Sequence, residues 1–172
     1  MGQTESAGMT TGIKALVLID AFRMGGAETL LAPMISASRD TDVTMDVVSI
    51  SPADWNSEKT MAILAEAGIS TRSLGIRRLL DPVALPRLVR TIRAGRYDIV
   101  HAQDCISANA VGPCIRTIHH LDDFITPILA ECHEKAIVAP YARICVSAAV
   151  AAEVAAGWGL HPTVIPNGVQ AE

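Results

Sequence analysis

This chain of 172 residues is half apolar and 19% charged, and its net charge at pH 7 is -4. The length suits one domain, the apolar content suits a sheet buried on both faces, and the negative charge gives no reason to expect a nucleic-acid partner. No apolar run reaches the roughly 18 residues of a membrane-spanning helix, and residues 1–12 lack the apolar stretch of a signal peptide. We therefore expect a cytoplasmic protein with a flexible leader over residues 1–12.

Strand and helix patterns alternate along the rest of the chain. Buried strands are predicted at 13–19, 44–50, 69–74, 97–101, 114–119, 142–146 and 162–165. Helices are predicted at 26–39, 57–67, 82–94, 124–139 and 148–157, with Ser57, Asp81 and Ser147 as N-caps. The alternation predicts an α/β fold, a Rossmann-like doubly wound parallel sheet with helices on both faces.

The first predicted helix has a regular apolar face and one irregular residue. Its core-facing positions are Leu30, Leu31, Met34 and Ile35. Pro33 lies inside this pattern and predicts either a kink or a shorter helix, because proline cannot donate a backbone hydrogen bond.

Gly25 and Gly26 stand between the first strand and the first helix. Glycine lets a backbone approach a ligand closely, and the free N–H groups and dipole at a helix start favour a phosphate. The alternative is a turn that only joins strand to helix. Glu28, in the first helical turn, is typical of a residue that pairs with the helix dipole.

Polar side chains gather where the other predicted strands end. Parallel sheets bind ligands beyond the carboxyl ends of their strands, at a switch in strand order. The candidates are Arg77, Arg78, His101, Gln103, Asp104, Thr117, His119, His120, Asp122, Asp123 and Ser147. They predict a ligand crevice at this edge of the sheet.

The four cysteines form no CxxC pair; they are Cys105, Cys114, Cys132 and Cys145. In a chain without an export signal we expect reduced, buried thiols, and neither a disulfide nor a metal site.

Five motifs occur in a set order along the chain. They are Met24-Gly25-Gly26-Ala27-Glu28, Asp98-Ile99-Val100-His101-Ala102-Gln103-Asp104, Thr117-Ile118-His119, Val146-Ser147 and Val164-Ile165-Pro166-Asn167-Gly168-Val169. Over residues 13–169 this order resembles the N-terminal half of the family 4 retaining glycosyltransferases, which have two Rossmann-like lobes (the GT-B type) and use nucleotide sugars. The crossover 103–113 is shorter than is usual in that family, and residues between Asn109 and Pro113 could be missing.

The resemblance implies an acceptor-side lobe of a two-lobed enzyme that needs no metal or cofactor. It implies that residues 166–172 begin the linker to a second lobe, which would hold most of the nucleotide sugar and is absent from this chain. The lobe alone is then expected to be inactive, and either to self-associate through the face that the second lobe would cover or to be marginally stable.

Roles for single residues also follow from the resemblance. Gly25 and Gly26 match the loop that approaches the donor diphosphate, and His119 matches a histidine that contacts the transferred sugar near the reaction centre. The alternative for His119 is a hydrogen-bonded histidine at a strand end. His101 is as compatible with a structural role as with a functional one.

The acceptor candidates each have an alternative. Asp104, Asp122 and Asp123 could orient acceptor hydroxyls, or they could cap the helices that follow them. Arg77 and Arg78 could meet an acceptor phosphate or an anionic membrane surface, or they could be a solvated pair.

Two other functions remain open. One is a non-catalytic module that binds an acceptor or partner in the same crevice, and the other is a lobe of a nucleotide-sugar epimerase of the same two-lobed build. A nicotinamide enzyme is disfavoured because the first loop lacks the G-x-G-x-x-G spacing.

Overall fold

A computed structural model describes residues 12–77, 82–111, 113–121 and 126–168. Its strands are β1 Ile13–Ile19, β2 Val43–Ser49, β3 Thr71–Ser73, β4 Ile99–Ala102, β5 Ile115–Ile118, β6 Ala142–Cys145 and β7 Thr163–Val164. Its helices are α1 Gly26–Ser38, α2 Glu58–Glu66, α3 Ala84–Gly95, α4 Cys105–Val111, α5 Pro127–Val138 and α6 Ala148–Trp158. A short 3-10 turn covers Ala53–Trp55.

The strands form one parallel sheet in the order β3-β2-β1-β4-β5-β6-β7. The Rossmann-like doubly wound fold is thus confirmed. β1 lies between β2 and β4, so that Val17 stands beside Val47 on one side and His101 on the other. The chain runs outward from β1 to β3, returns to β4, and then runs outward in the opposite direction.

This reversal divides the helices between the two faces of the sheet. Crossovers between parallel strands are right-handed, so helices that connect strands in opposite directions cover opposite faces. Leu31 of α1 and Leu64 of α2 pack with Val17 on the first face. Leu88 of α3 packs with Leu16 and Leu18 on the second face.

The second face is also covered over the other half of the sheet. Val154 of α6 and Ile137 of α5 pack with Ile118 there. Among the described residues, the helices of the first face are therefore α1 and α2. The surface of β4–β6 on that face presents His101, Thr117 and Ile144 to a cavity instead.

The predicted elements agree with the structure, with three corrections. α3 begins at Ala84 and not at Asp81–Pro82, because Pro82 and Val83 form a turn before it. The crossover between β4 and β5 contains the short helix α4, which was not predicted.

The third correction concerns Pro33. α1 continues past it to Ser38, so the shorter helix is wrong. Leu31 and Ile35, on either side of Pro33, are both buried in the core. Tertiary packing of this kind supplies most of a helix's stability in a protein, and it holds α1 together across the proline.

Candidate functional site

The loops after β1 and β4 meet at the switch in strand order. Asp104 ties them together, because its Oδ2 accepts a hydrogen bond from the backbone N–H of Asp20 at 2.6 Å. Its Oδ1 accepts one from the N–H of Ser107 at 2.7 Å. Asp104 therefore caps α4, which is the alternative that the sequence offered to an acceptor-binding role. Burial raises the pKa of its carboxyl group.

The glycine loop lies beside this junction. Gly25 is the N-cap of α1 with an extended backbone, and Gly26 is the first helical residue. A side chain on Gly26 would meet no atom within 4 Å, so the space above its backbone is open. The Glu28 carboxylate lies over Gly25, and Glu28 is the acidic residue of the first helical turn, as predicted.

A cavity of about 740 Å³ lies between α1 and the strand ends on the first face. Its size falls within the range of small-molecule sites. The wall from α1 is formed by Ala27, Leu30, Leu31, Pro33, Met34, Ser36 and Ala37. Leu30 and Met34, both predicted to face the core, line this cavity, and of the two Met34 also packs against the core. The end of the described chain, Ile165 to Gly168, closes one side.

The opposite wall of the cavity carries four hydrogen-bonded polar side chains. Nε2 of His101 lies 2.7 Å from Oγ1 of Thr117, and Nε2 of Gln103 lies 3.5 Å from the same ring nitrogen. At its other end, Oε1 of Gln103 lies 3.2 Å from Nε2 of His119. Thr117, His101, Gln103 and His119 therefore form a continuous chain of hydrogen bonds, here called the polar wall.

Both histidines of the polar wall are held neutral near pH 7. Burial, with a smaller effect from His119, lowers the pKa of His101 to about 4. Burial also lowers the pKa of His119, and the positive charges that His120 and Arg116 can carry act in the same direction. The two rings therefore act as hydrogen-bonding groups rather than as cations.

The structure brings His101 and His119 together but separates other candidates from them. Arg77 donates two hydrogen bonds to the carboxylate of Asp54, at 2.9 and 3.1 Å, on the exposed rim of the sheet. His120 is exposed and does not line the cavity. Arg78, Asp122 and Asp123 lie outside the described residues.

Sequence reasoning placed Gln103 and Thr117 at strand ends but gave neither a role. Both are buried in the polar wall. One feature of the sequence points to Gln103. Its amide offers both a hydrogen-bond donor and an acceptor, and it follows His101 by two residues at the same end of the sheet as His119.

The cysteines are free thiols where the structure describes them. Cys114 and Cys145 are buried, as predicted, whereas Cys132 is only partly buried. Burial raises the pKa of Cys114 to about 11, so its thiol stays protonated. The described part of the chain holds no cluster of three or more metal-ligating side chains and no helix long and apolar enough to cross a membrane.

Three solved structures with the same fold contain UDP or UDP-GlcNAc. HepE of Anabaena in complex with UDP matches with a TM-score of 0.71 at 19% identity, over 91% of this chain and 44% of that one. MnaA of S. aureus with UDP matches with a TM-score of 0.64 at 15% identity, over 91% of this chain and 44% of that one.

UDP-GlcNAc 2-epimerase of Neisseria meningitidis, bound to UDP-GlcNAc, matches with a TM-score of 0.63 at 13% identity, over 91% and 46% of the two chains. This chain thus spans less than half the length of each of these structures. No curated protein shows a significant sequence match to it.

The family comparison covers most of the chain. The model of Glycosyltransferase Family 4 matches residues 24–172, which include the glycine loop, the polar wall and the end of the chain. The match begins at the first motif of the five on which the resemblance was based and runs past the last. The chain belongs to glycosyltransferase family 4.

Proposed function

We propose that this chain is the acceptor-side lobe of a retaining GT-B glycosyltransferase, which moves a sugar from a nucleotide sugar to an acceptor hydroxyl. The observation that carries the proposal is the polar wall, in a cavity at the carboxyl edge of the sheet of a family 4 chain. Neutral imidazole, amide and hydroxyl groups supply the hydrogen-bond donors and acceptors that sugar hydroxyls need.

In the proposed complex the donor diphosphate lies at Gly25 and Gly26. The open space above Gly26 leaves room for a close approach, and helix N–H groups stabilise charge on a leaving phosphate. HepE and MnaA were solved with UDP, so UDP-sugars are the first donors to test. Most donor contacts are assigned to a second lobe, since the chain spans less than half of these neighbours.

The proposed reaction follows the chemistry that the family resemblance implies. The acceptor oxygen attacks the anomeric carbon on the face from which the diphosphate leaves, while the bond from that carbon to the diphosphate oxygen breaks. The acceptor's proton passes to the leaving phosphate. His119 contacts the transferred sugar, the acceptor is a sugar or a lipid-linked sugar, and no metal or cofactor takes part.

The test is a donor and acceptor screen on the complete gene product. UDP-, GDP- and ADP-sugars are incubated with candidate acceptors, and release of nucleoside diphosphate is measured together with the new glycoside. Acceptor-dependent release, with the anomeric configuration of the donor kept in the product by NMR, is expected. An inverted product would contradict retention.

His119→Ala provides the residue-level test. Loss of one group that contacts the reacting sugar should lower kcat by roughly 10²–10³-fold. His161→Ala is the matched control. His161 is an exposed histidine just before β7, at the amino ends of the strands, whereas the polar wall lies toward their carboxyl ends. Equal activity of the two variants would show that His119 does not contact the transferred sugar.

An epimerase lobe is the second candidate, since a UDP-GlcNAc 2-epimerase shares the fold. The same screen separates the two functions. An epimerase converts UDP-GlcNAc to its C2 epimer, or releases UDP, without an acceptor. Product that appears at the same rate with and without acceptor would therefore favour the epimerase.

A further inference from the structure

Gln103 lies between the two histidines of the polar wall and contacts both. Its Oε1 faces Nε2 of His119 at 3.2 Å, and its Nε2 faces Nε2 of His101 at 3.5 Å. An amide oxygen only accepts hydrogen bonds and an amide nitrogen only donates them. Nε2 of His119 must therefore carry a hydrogen, whereas Nε2 of His101 must offer a lone pair.

The other partner of His101 cannot impose this choice. Thr117 contacts Nε2 of His101 at 2.7 Å, but a hydroxyl donates or accepts with equal ease. The amide of Gln103 is thus the group in the polar wall that distinguishes the two tautomers of each ring.

The backbone around Gln103 is well anchored. Its N–H donates to the carbonyl of Leu18 at 2.9 Å, which continues the pairing of β1 and β4 by one residue. The next residue, Asp104, is held by two backbone N–H groups. Only 6% of Gln103 is exposed. The fixed backbone places this buried amide between the two rings, which are its side-chain hydrogen-bond partners among the described residues, so it can couple the tautomer of one ring to that of the other.

We propose that Gln103 is a positioning residue that sets His119 with its proton on Nε2 and His101 with its proton on Nδ1. This inference rests on the proposed function of His119. With Nε2 held by Gln103, the lone pair of His119 stays on Nδ1, which accepts no hydrogen bond within the described part of the chain. Nδ1 is then the atom that accepts a hydrogen bond from a hydroxyl of the bound sugar.

The experiment measures the tautomers directly on this chain, by NMR of the histidine ring nitrogens near neutral pH. Protonated and unprotonated ring nitrogens have well-separated chemical shifts. The expected result is a protonated Nε2 in His119 and a protonated Nδ1 in His101. The reverse pattern, in which the amide points the other way, would overturn the proposal.

Three variants show whether Gln103 is the cause. Gln103→Glu offers an acceptor to both rings, so Nε2 of His101 should become protonated while Nε2 of His119 stays protonated. Gln103→Met should release both rings from their fixed tautomers. Thr117→Val is the matched control and should leave both unchanged. Unchanged tautomers in both Gln103 variants would refute the role of Gln103. If a variant fails to fold, the wild-type spectrum still tests the two predicted tautomers.

Kinetics of the complete gene product then test the consequence for transfer. Gln103→Met should lower kcat by at least about tenfold with a smaller change in KM, because the hydrogen bond from His119 to the reacting sugar depends on the group that orients the ring. Gln103→Glu should restore part of this loss, since it still accepts from His119. An unchanged kcat in Gln103→Met would overturn the proposal. Absence of transfer by the wild type would instead refute the proposed function and leave the tautomer result standing.

Discussion

The carboxylate of Glu28 lies over Gly25, so close that a methyl group on Gly25 would collide with it. It occupies the start of α1, where N–H groups and the helix dipole favour an anion. Burial raises the pKa of Glu28, and the negative charge of Asp104 adds to the rise. A diphosphate that binds at the glycine loop would compete with this carboxylate for the same helix end.

Glu28→Gln should therefore strengthen UDP binding by the complete gene product. Removal of one competing charge at a helix end predicts about two- to fivefold tighter binding, or roughly 0.4–1 kcal/mol, and the gain should shrink at high salt. Calorimetric titration at two salt concentrations measures it. Glu153→Gln, an exposed change on α6, is the control. Weaker binding by Glu28→Gln would mean that the carboxylate itself contacts the ligand.

A methyl group at Gly26 should affect the ligand and not the fold. Nothing lies within 4 Å of the added carbon, and alanine is the better helix former. Gly26→Ala should unfold with an equal or larger free energy, and it should lose UDP affinity by about tenfold or more, which is about 1.4 kcal/mol.

Gly157→Ala is the matched control for this change. Its added carbon also meets nothing within 4 Å, and Gly157 lies near the end of α6. It should stabilise the fold by about 0.5–1 kcal/mol with unchanged affinity. Equal UDP affinity in Gly26→Ala and Gly157→Ala would show that the glycine loop does not contact the donor.

His101 should make stability depend on pH between about 4 and 6.5. In this range the unfolded chain protonates the ring, whereas burial keeps it neutral in the folded protein. The unfolded state then binds more protons, so stability falls as pH is lowered, beginning near 6.5 and ending near 4. The full loss from this one group is about 3 kcal/mol.

Urea unfolding of wild type and His101→Gln across this pH range measures the loss. The variant lacks the titrating ring, so its stability should fall less. Asp104 and Glu28, whose pKa values are raised, contribute with the opposite sign in both proteins, and the difference between the two curves isolates His101. Parallel curves would show that His101 titrates alike in the folded and unfolded states.

The cap of α6 should contribute measurably to stability. Oγ of Ser147 accepts a hydrogen bond from the N–H of Val150 at 3.2 Å. Ser147→Ala should cost about 1 kcal/mol, and Ser147→Asp, which keeps an acceptor, should cost little. Ser57 caps α2 with a longer bond of 3.5 Å to Thr60, so Ser57→Ala should cost less. Thermal unfolding ranks the three; a larger cost at Ser57 would contradict the ranking.

The polar wall shows which parts of the candidate site could be predicted from the sequence and which could not. The sequence places all four residues of the polar wall at strand ends and within the motifs, but it suggests individual roles only for His101 and His119. Gln103 and His119 are 16 residues apart in the chain. They touch because β4 and β5 are neighbours in the sheet, and no local pattern states which strands pair.

The sequence by itself determined the parallel α/β sheet, most strand positions and the caps at Ser57 and Ser147, because buried valine and isoleucine runs, turns and caps depend on interactions within a few residues. Only the tertiary structure decided which face each helix covers, that Leu30 and Met34 line a cavity, and that an amide joins the two histidines. An apolar stripe shows that a helix buries one side but not what packs against it, and a hydrogen bond across strands exists only after the strand order is set.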